Sequence, residues 1–408
     1  MFTINFSISS PDSVGYSQII TTITSQKKQD YTFYTPLRII KNDWNIEKQR
    51  PNNIYTKKHK LIYSFLNKIK IEVSALLHEY YTKKEKICTQ KLKECIKKCT
   101  AIKYIHSIKK NSFLYFVNLY IESRTHLITH STYKRYMVFL RMFRVFEGYS
   151  KKYFNVSDIN IRFVNDFLLF GKMEQYSPST LRRTINFIKT ILNFIERRGI
   201  RTAVYEIALP KEIKDENSVT LSVEELNKIK NTVVDDNLQT AKQWLLISCY
   251  TGQRISDFMN FSQSQITSIE GNKCLTFIQQ KTGKKITLPL HKEVLDILKA
   301  IDGFPKKMNF QEYNRKIKNI VKEAGICEKV LISKREGFRK TTAQFFKYET
   351  VSSHIGRRSF ATNFYGRIPT PLLMEATGHS SEKMFLKYIH IADKQKILLL
   401  NKYFNDLV

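Results

Sequence analysis

The stretch ATGHSSEKMFLKY, residues 376–388, decides how this chain is read. A Gly-His pair leads into Ser380-Ser381, and Tyr388 follows His379 by nine residues. It is one of 22 tyrosines in the chain, and most tyrosines are explained by packing. As continuous helix, nine residues would hold His379 and Tyr388 about 13 Å apart. A turn at Gly378 and a new helix start at Ser380-Ser381 break that line, so the chain folds back and imidazole and phenol meet at one centre. Tyr365 and Tyr403 fit packing better: the first stands inside a helix pattern, the second beside Leu398, Leu399, Leu400 and Phe404.

Working outward, the C-terminal half presents an ordered set of cations. TGQRISDF (251–258) puts Arg254 after a Thr-Gly turn. CLTFIQQKTGKKITLPL (274–290) is a hairpin with Lys281 at its tip, and SSHIGRRSFATNFY (352–365) sets His354 and Arg357 three apart on one helix face. Singly, each has an ordinary explanation: a surface ion pair, a solvated hairpin tip, a chance match in a basic chain. Together with His379 and Tyr388 they are the parts of one phosphoryl transfer. Two guanidinium forks neutralise and orient the equatorial oxygens of a phosphodiester. An imidazole takes the proton of the attacking phenol, and a lysine protonates the departing alkoxide. Cations of the protein then do the work of Mg²⁺, and no clustered Asp/Glu box for two metals is apparent. No cofactor is expected.

These boxes resemble the tyrosine recombinase (phage integrase) family, particularly the integrases of Bacteroides-type mobile elements. The resemblance covers residues 218–395 and implies a mainly α, multidomain fold with small β elements, its catalytic domain shared with type IB topoisomerases. It implies that Arg254 and Arg357 clamp the phosphate, with Asp257 supporting the first. Lys281 is then the general acid, His354 assists proton transfer at the tyrosine, His379 bonds the phosphate, and Tyr388 attacks. A 3′-phosphotyrosyl link and a free 5′-hydroxyl result. The resemblance also implies four protomers on two DNA duplexes, docking of the segment from about Asp393 (ILLLNKYF) on a neighbour, and room for accessory DNA-bending or directionality proteins. Gln253 stands where Leu is common, and Ala376-Thr377 where an apolar pair is usual. A relaxing topoisomerase, a DNA invertase for phase variation and a non-catalytic DNA-binding regulator are the competing readings.

The bulk composition agrees. Sixty-eight Lys+Arg oppose 36 Asp+Glu, a net charge of +32 spread along the chain, and a field of that sign attracts polyanions. AT-rich coding DNA is the bland explanation for so much lysine. With 42% hydrophobic and 12% aromatic residues in 408, two or three cored domains are expected. The six cysteines include no C-x-x-C pair, and Cys88, Cys95 and Cys99 share one helix face, as in a reducing cytoplasm. MFTINFSISSPDS lacks a signal pattern, and no run nears the ~20 apolar residues of a membrane span. A soluble, cytoplasmic, nucleoid-associated protein is the expectation.

Residues 1–100 read as a β unit (IITTIT, YTFYTPLRII, joined by SQKKQD) and a basic helix with Leu61, Phe65, Ile69, Val73 and Leu76 on one face. By resemblance, with DWNIEKQR the closest match, this is an arm-type DNA-binding domain. Residues 108–205 hold four helices, with breaks at Gly148, Gly171 and Gly199, and resemble a helical core-binding (SAM-like) domain. Lys134, Arg135, Arg141 and Arg144 on one helix, and Arg182, Arg183 and Lys189 on another, are candidate DNA-phosphate contacts. After the linker ALPKEIKDENSVT, Ser222 and Glu225 form a capping box that opens a domain spanning 218–408.

Overall fold

The computed structural model describes residues 2–25, 29–53, 56–101, 111–211, 219–336, 339–389 and 401. The chain divides into two compact units, Met1–Lys214 with Arg335–Lys340, and Asp215–Lys334 with Thr341–Val408.

The first unit opens with an antiparallel sheet of β1 (Thr3–Ile8), β2 (Tyr16–Thr24) and β3 (Asp30–Ile40), in that order. Alternation along β2 buries Ser17, Ile19, Thr21 and Ile23 and turns the residues between them outward. Two-residue strands β4 (Trp44–Asn45) and β5 (Arg50–Pro51) pair next. The buried face of the sheet shares one apolar cluster with α1 (Lys57–Lys83) and α2 (Thr89–Thr100). The buried stripe of α1 differs from expectation: Ile62, Phe65, Leu66, Ile69, Val73 and Leu77 are buried, and Leu61 is exposed. Phe65, Ile69 and Val73 are shared with the expected face, and Ile62 and Leu66 lie about 100° round the helix from Leu61 and Phe65, so the buried stripe is turned toward them.

A second apolar cluster is built by α3 (Phe113–Ser123), α4 (His130–Ser150), α5 (Ile161–Met173) and α6 (Pro178–Glu196). The expected breaks at Gly148 and Gly171 do not occur, since both lie inside helices. They are close-approach sites: a Cβ on Gly148 would stand 2.4 Å from Asn67 of α1, and one on Gly171 would stand 2.3 Å from Leu181. Gly199, at φ +79°, does follow a helix end. Asn67 donates to the Arg144 carbonyl (3.5 Å), and the Tyr153 hydroxyl donates to Glu72 (2.9 Å), so α1 and α4 pack together.

In the second unit, Ser222 and Glu225 cap α7 (Val223–Asn231) reciprocally, as read from the sequence. The long helix α8 (Asp236–Thr251) runs through the core and ends at Gly252, which takes the left-handed conformation (φ +67°). There follow α9 (Ile255–Phe258) and a three-stranded sheet of β6 (Ile266–Ile269), β7 (Asn272–Ile278) and β8 (Lys285–Pro289). The expected hairpin thus gains an edge strand. Next come α10 (Lys292–Ala300), α11 (Phe310–Glu323) and a strand pair that the reading of this half as mostly helical omits, β9 (Lys329–Glu336) with β10 (Arg339–Phe346). Its β-branched and aromatic stretches, VLIS and TTAQFF, are too short to outweigh the surrounding helix periodicity.

The last described elements are α12 (Lys347–Thr350), α13 (Ile355–Phe364), α14 (Thr370–Thr377) and α15 (Glu382–Leu386). Helix α13 lies close on α8 because position 356 is glycine: a Cβ there would meet the Ser248 side chain. Phe360, Ala361, Leu373 and Phe385 make a small separate core, against which Tyr388 packs. Tyr403 and all of the 393–408 tail except Asn401 lie outside the described residues. Among the described residues, no helix is long and apolar enough to cross a membrane.

Candidate active site

Four chain reversals bring the candidate residues together in the second unit. The first is the Gly252 turn, which places Gln253 and Arg254 at the start of α9. Gln253 is fully buried and donates its amide to the carbonyls of Thr251 and Ala376, both at 2.8 Å. Arg254 is half-buried and donates to Gln279 Oε1 (3.1 Å). Asp257, expected to support Arg254, instead accepts from the Gln280 backbone N–H (2.9 Å), and its other carboxylate oxygen is buried without a partner among the described residues. Its bond therefore braces the turn after β7.

That turn is the second reversal. The Gln279 N–H donates to the Lys284 carbonyl (2.9 Å) and the Gly283 N–H to the Gln279 carbonyl (2.8 Å), leaving Lys281 exposed at the tip. At the third, His354 is the N-cap of α13 and Arg357 lies in its first turn. The Arg357 side chain points inward and is 0% exposed. It donates to the Gly252 carbonyl (3.0 Å) and the Thr377 carbonyl (2.7 Å) and reaches His379 Nε2 (3.0 Å), while its Nε has no partner among the described residues.

The fourth reversal is Gly378, left-handed at φ +72°, which ends α14. His379 follows, then α15, then Tyr388, whose carbonyl accepts from the Thr362 hydroxyl (3.2 Å). The His379 and Tyr388 rings stand 5.1 Å apart, and the Arg357 guanidinium lies 5.5 Å from the centre of the Tyr388 ring. The fold-back expected from Gly378 is present, and it replaces a helical separation of about 13 Å with ring contact. Gly378 has a second constraint, because a Cβ there would stand 2.6 Å from Gln279 Oε1. Gly378→Ala is therefore expected to cost about 2 kcal/mol, from left-handed strain before the clash is counted. A thermal melt should show a Tm several degrees lower.

Two guanidiniums and two imidazoles share one field here. Among the described residues neither Arg254 nor Arg357 forms an ion pair with a carboxylate. Burial, then the charge of Arg254, pushes Arg357 down to about 10, so it stays protonated at neutral pH. Burial, then Arg357 and Arg254, pushes the His379 imidazole down to about 4. The Thr377 hydroxyl gives its proton to the Leu373 carbonyl (2.6 Å) and so accepts from His379 Nδ1 (2.8 Å), which leaves Nε2 as the acceptor facing Arg357. His354 remains reachable by solvent. Partial desolvation lowers its pKa, followed by the charges of Arg358, Arg357, Arg254 and Lys281, which places those cations in one field.

A histidine held neutral makes the folded state bind fewer protons than the unfolded one. Stability contributed by His379 is therefore present above about pH 6.5 and is lost as pH falls toward 4. Melts across that window should show a declining Tm, and His379→Gln should flatten part of the slope; an unchanged slope would contradict the neutral imidazole.

The cationic helix residues of the first unit vary in availability. Lys134, Arg135 and Arg141 are exposed on α4, whereas Arg144 is half-buried and its pKa is lowered by burial. On α6, Arg182 donates to the Pro210 carbonyl, Lys189 to the Ile207 carbonyl (2.5 Å), and exposed Arg183 to the Ser179 carbonyl (3.0 Å). Gln279 escaped the sequence reading, and Thr377 entered it only as a departure from a usual apolar pair. Both are polar residues at positions a reader assigns to strand end and helix end, and only their shared contacts mark them.

Residues 220–395 match the Phage integrase family, and residues 112–205 match the Phage integrase SAM-like domain. The chain belongs to the phage integrase family, the tyrosine recombinases. It is a DNA strand-cleaving and rejoining enzyme. This recombinase resembles in fold the Tn1549 transposon integrase in complex with circular intermediate DNA, at a TM-score of 0.50 and 17% identity over 69% of this chain and 96% of that one. It also resembles the XerH site-specific recombinase bound to palindromic difH substrate, at a TM-score of 0.50 and 16% identity over 83% and 97%. No curated protein matches the recombinase in sequence. Among its described residues, no group of three or more His, Cys, Asp or Glu side chains is placed to hold a metal ion.

Proposed function

We propose that the recombinase is site-specific and breaks DNA by attack of the Tyr388 hydroxyl on a backbone phosphorus. A 3′-phosphotyrosyl bond forms as the bond to the 5′-oxygen breaks, and a 5′-hydroxyl from a partner strand later reverses the step. Arg254 and Arg357 hold the non-bridging oxygens, and Lys281 gives a proton to the leaving 5′-oxygen. His354, kept neutral by partial burial and then by the cations around it, is free to take the phenolic proton. An anion between the guanidiniums offsets the charges that depress His379, so imidazole and phosphate bind each other more readily once DNA is in place.

The observation that carries this reading is the buried Arg357 side chain, which has no carboxylate partner among the described residues, an unpaired Nε, and a tyrosine ring 5.5 Å away. A buried cation left without a counter-ion is costly, and a phosphate supplies one. The setting we infer is integration or excision of a mobile element by four protomers on two duplexes. Residues 1–100 would act as an arm-type module, 108–205 as the core-binding domain and 218–408 as the catalytic domain. Lys134, Arg135, Arg141 and Arg183, with the less exposed Arg144 and Arg182, are its phosphate contacts away from the chemistry.

The test uses a duplex selected by the protein from a random-sequence pool, nicked just beyond the cleavage position so that the 5′-hydroxyl product diffuses away. The protein should be trapped on the 3′ end of the cut strand, resistant to denaturant and formed equally in EDTA. Attachment to the 5′ side, or an adduct that needs Mg²⁺, would overturn the mechanism.

A further inference from the structure

Gln279 sits immediately after β7 with its side chain 0% exposed, and neither end of its amide is idle. Its Oε1 accepts from Arg254 (3.1 Å) and from the Thr282 hydroxyl (2.8 Å). Its Nε2 donates to Gln253 Oε1 (3.2 Å) and to the Thr377 carbonyl (3.0 Å). That carbonyl also receives Arg357, whose same nitrogen reaches His379. Hydrogen bonds thus run unbroken from Arg254 through Gln279 and the Thr377 carbonyl to Arg357 and His379. The Gln279 backbone meanwhile closes the turn that carries Lys281, and its amide packs against Gly378, where the segment bearing His379 and Tyr388 begins.

We propose that Gln279 is a positioning residue for strand cleavage, holding the Arg254 guanidinium in register with the segment that carries His379 and Tyr388. The proposal rests on the phosphate-clamping role of Arg254 inferred above. The chemistry of the side chain explains why an amide stands here. A carboxylate would hold Arg254 as an ion pair, cancel the charge meant for phosphate, and set lone pair against lone pair at the Thr377 carbonyl. A hydroxyl is too short to span the two partners. A neutral amide offers an acceptor at one end and a donor at the other. Misplacing a reacting group by about 1 Å costs on the order of 100-fold in rate, which sets the scale of the expected effect.

The experiment uses the full chain and the nicked duplex described above, scoring strand scission in a single turnover alongside DNA affinity and Tm. Gln279→Met keeps length and apolar volume but removes every polar contact of the side chain. It is expected to slow scission roughly 100-fold, with the Kd for DNA within about threefold. In an Arg254→Lys background the same change should cost less than about threefold, because the fork it positions is already gone. Gln279→Glu, nearly isosteric, should slow scission at least as much and decides the matter if Gln279→Met fails to fold. Scission near the wild-type rate in whichever variant folds would overturn the proposal. So would the same loss in both backgrounds, or a loss explained by weaker DNA binding. Scission is scored whichever group attacks, so an adduct persisting in Tyr388→Phe would sink the nucleophile reading and be seen separately.

Discussion

Tyr388→Phe is expected to leave no denaturant-resistant adduct on the nicked duplex, a loss of at least ~10⁴-fold, while DNA affinity stays within about threefold of wild type. The substitution removes one oxygen and little else. The ring packs against the small core of Phe360, Ala361, Leu373 and Phe385, and phenylalanine keeps its contacts with His379 at 5.1 Å and with the Arg357 guanidinium at 5.5 Å, losing only the hydroxyl's own interaction with Arg357. The Tyr388 backbone is held separately, by Thr362 and by its own N–H to the Phe385 carbonyl. Fold, cation–π contact and DNA binding should therefore persist without the nucleophile. Gel analysis of trapped complexes reads the outcome. An adduct at wild-type yield would move the attack to another residue, with Tyr365 at the end of α13 the first to examine.

Arg357→Lys should be nearly as damaging to cleavage, by ~10³-fold, and should also destabilise the fold by about 2–4 kcal/mol. The guanidinium reaches the Gly252 carbonyl, the Thr377 carbonyl and His379 at once, from a position with no solvent exposure. An ammonium on a shorter, rotating stem cannot span these three partners, so buried carbonyls lose donors and the phosphate loses a planar fork. Arg254→Lys provides the contrast. Arg254 is half-buried and makes a single side-chain hydrogen bond among the described residues, so its replacement should slow cleavage with little change in Tm. Single-turnover scission and thermal melts on the two variants separate these expectations. Equal Tm losses would mean that the two arginines are not anchored as differently as the geometry requires.

Much of the candidate site was legible because the chemistry proposed for it is carried by residue type and chain order. Arg254, His354, Arg357, His379 and Tyr388 could be picked out as a set, and the Gly378 turn could be inferred because a straight helix would have kept His379 and Tyr388 apart. The Ser222–Glu225 cap was legible for a similar reason: both its hydrogen bonds are local. Misreadings came where a residue answers to a distant partner. Gly148 and Gly171 read as helix breakers, since glycine weakens isolated helices, yet each sits in a helix to admit a neighbouring side chain. Asp257 read as a support for Arg254 and bonds instead to the turn behind Lys281.

From composition and motif order follow the basic charge, the helical periodicity, the family resemblance and the candidate reactive groups, all properties of residues taken singly or a few positions apart. Only the folded chain decided how those groups are held. The Thr377 carbonyl, shared by Gln279 and Arg357, joins residues separated by 98 and 20 positions. A backbone carbonyl has no sequence signature. Contacts of that kind come into being when tertiary packing closes the loops between them.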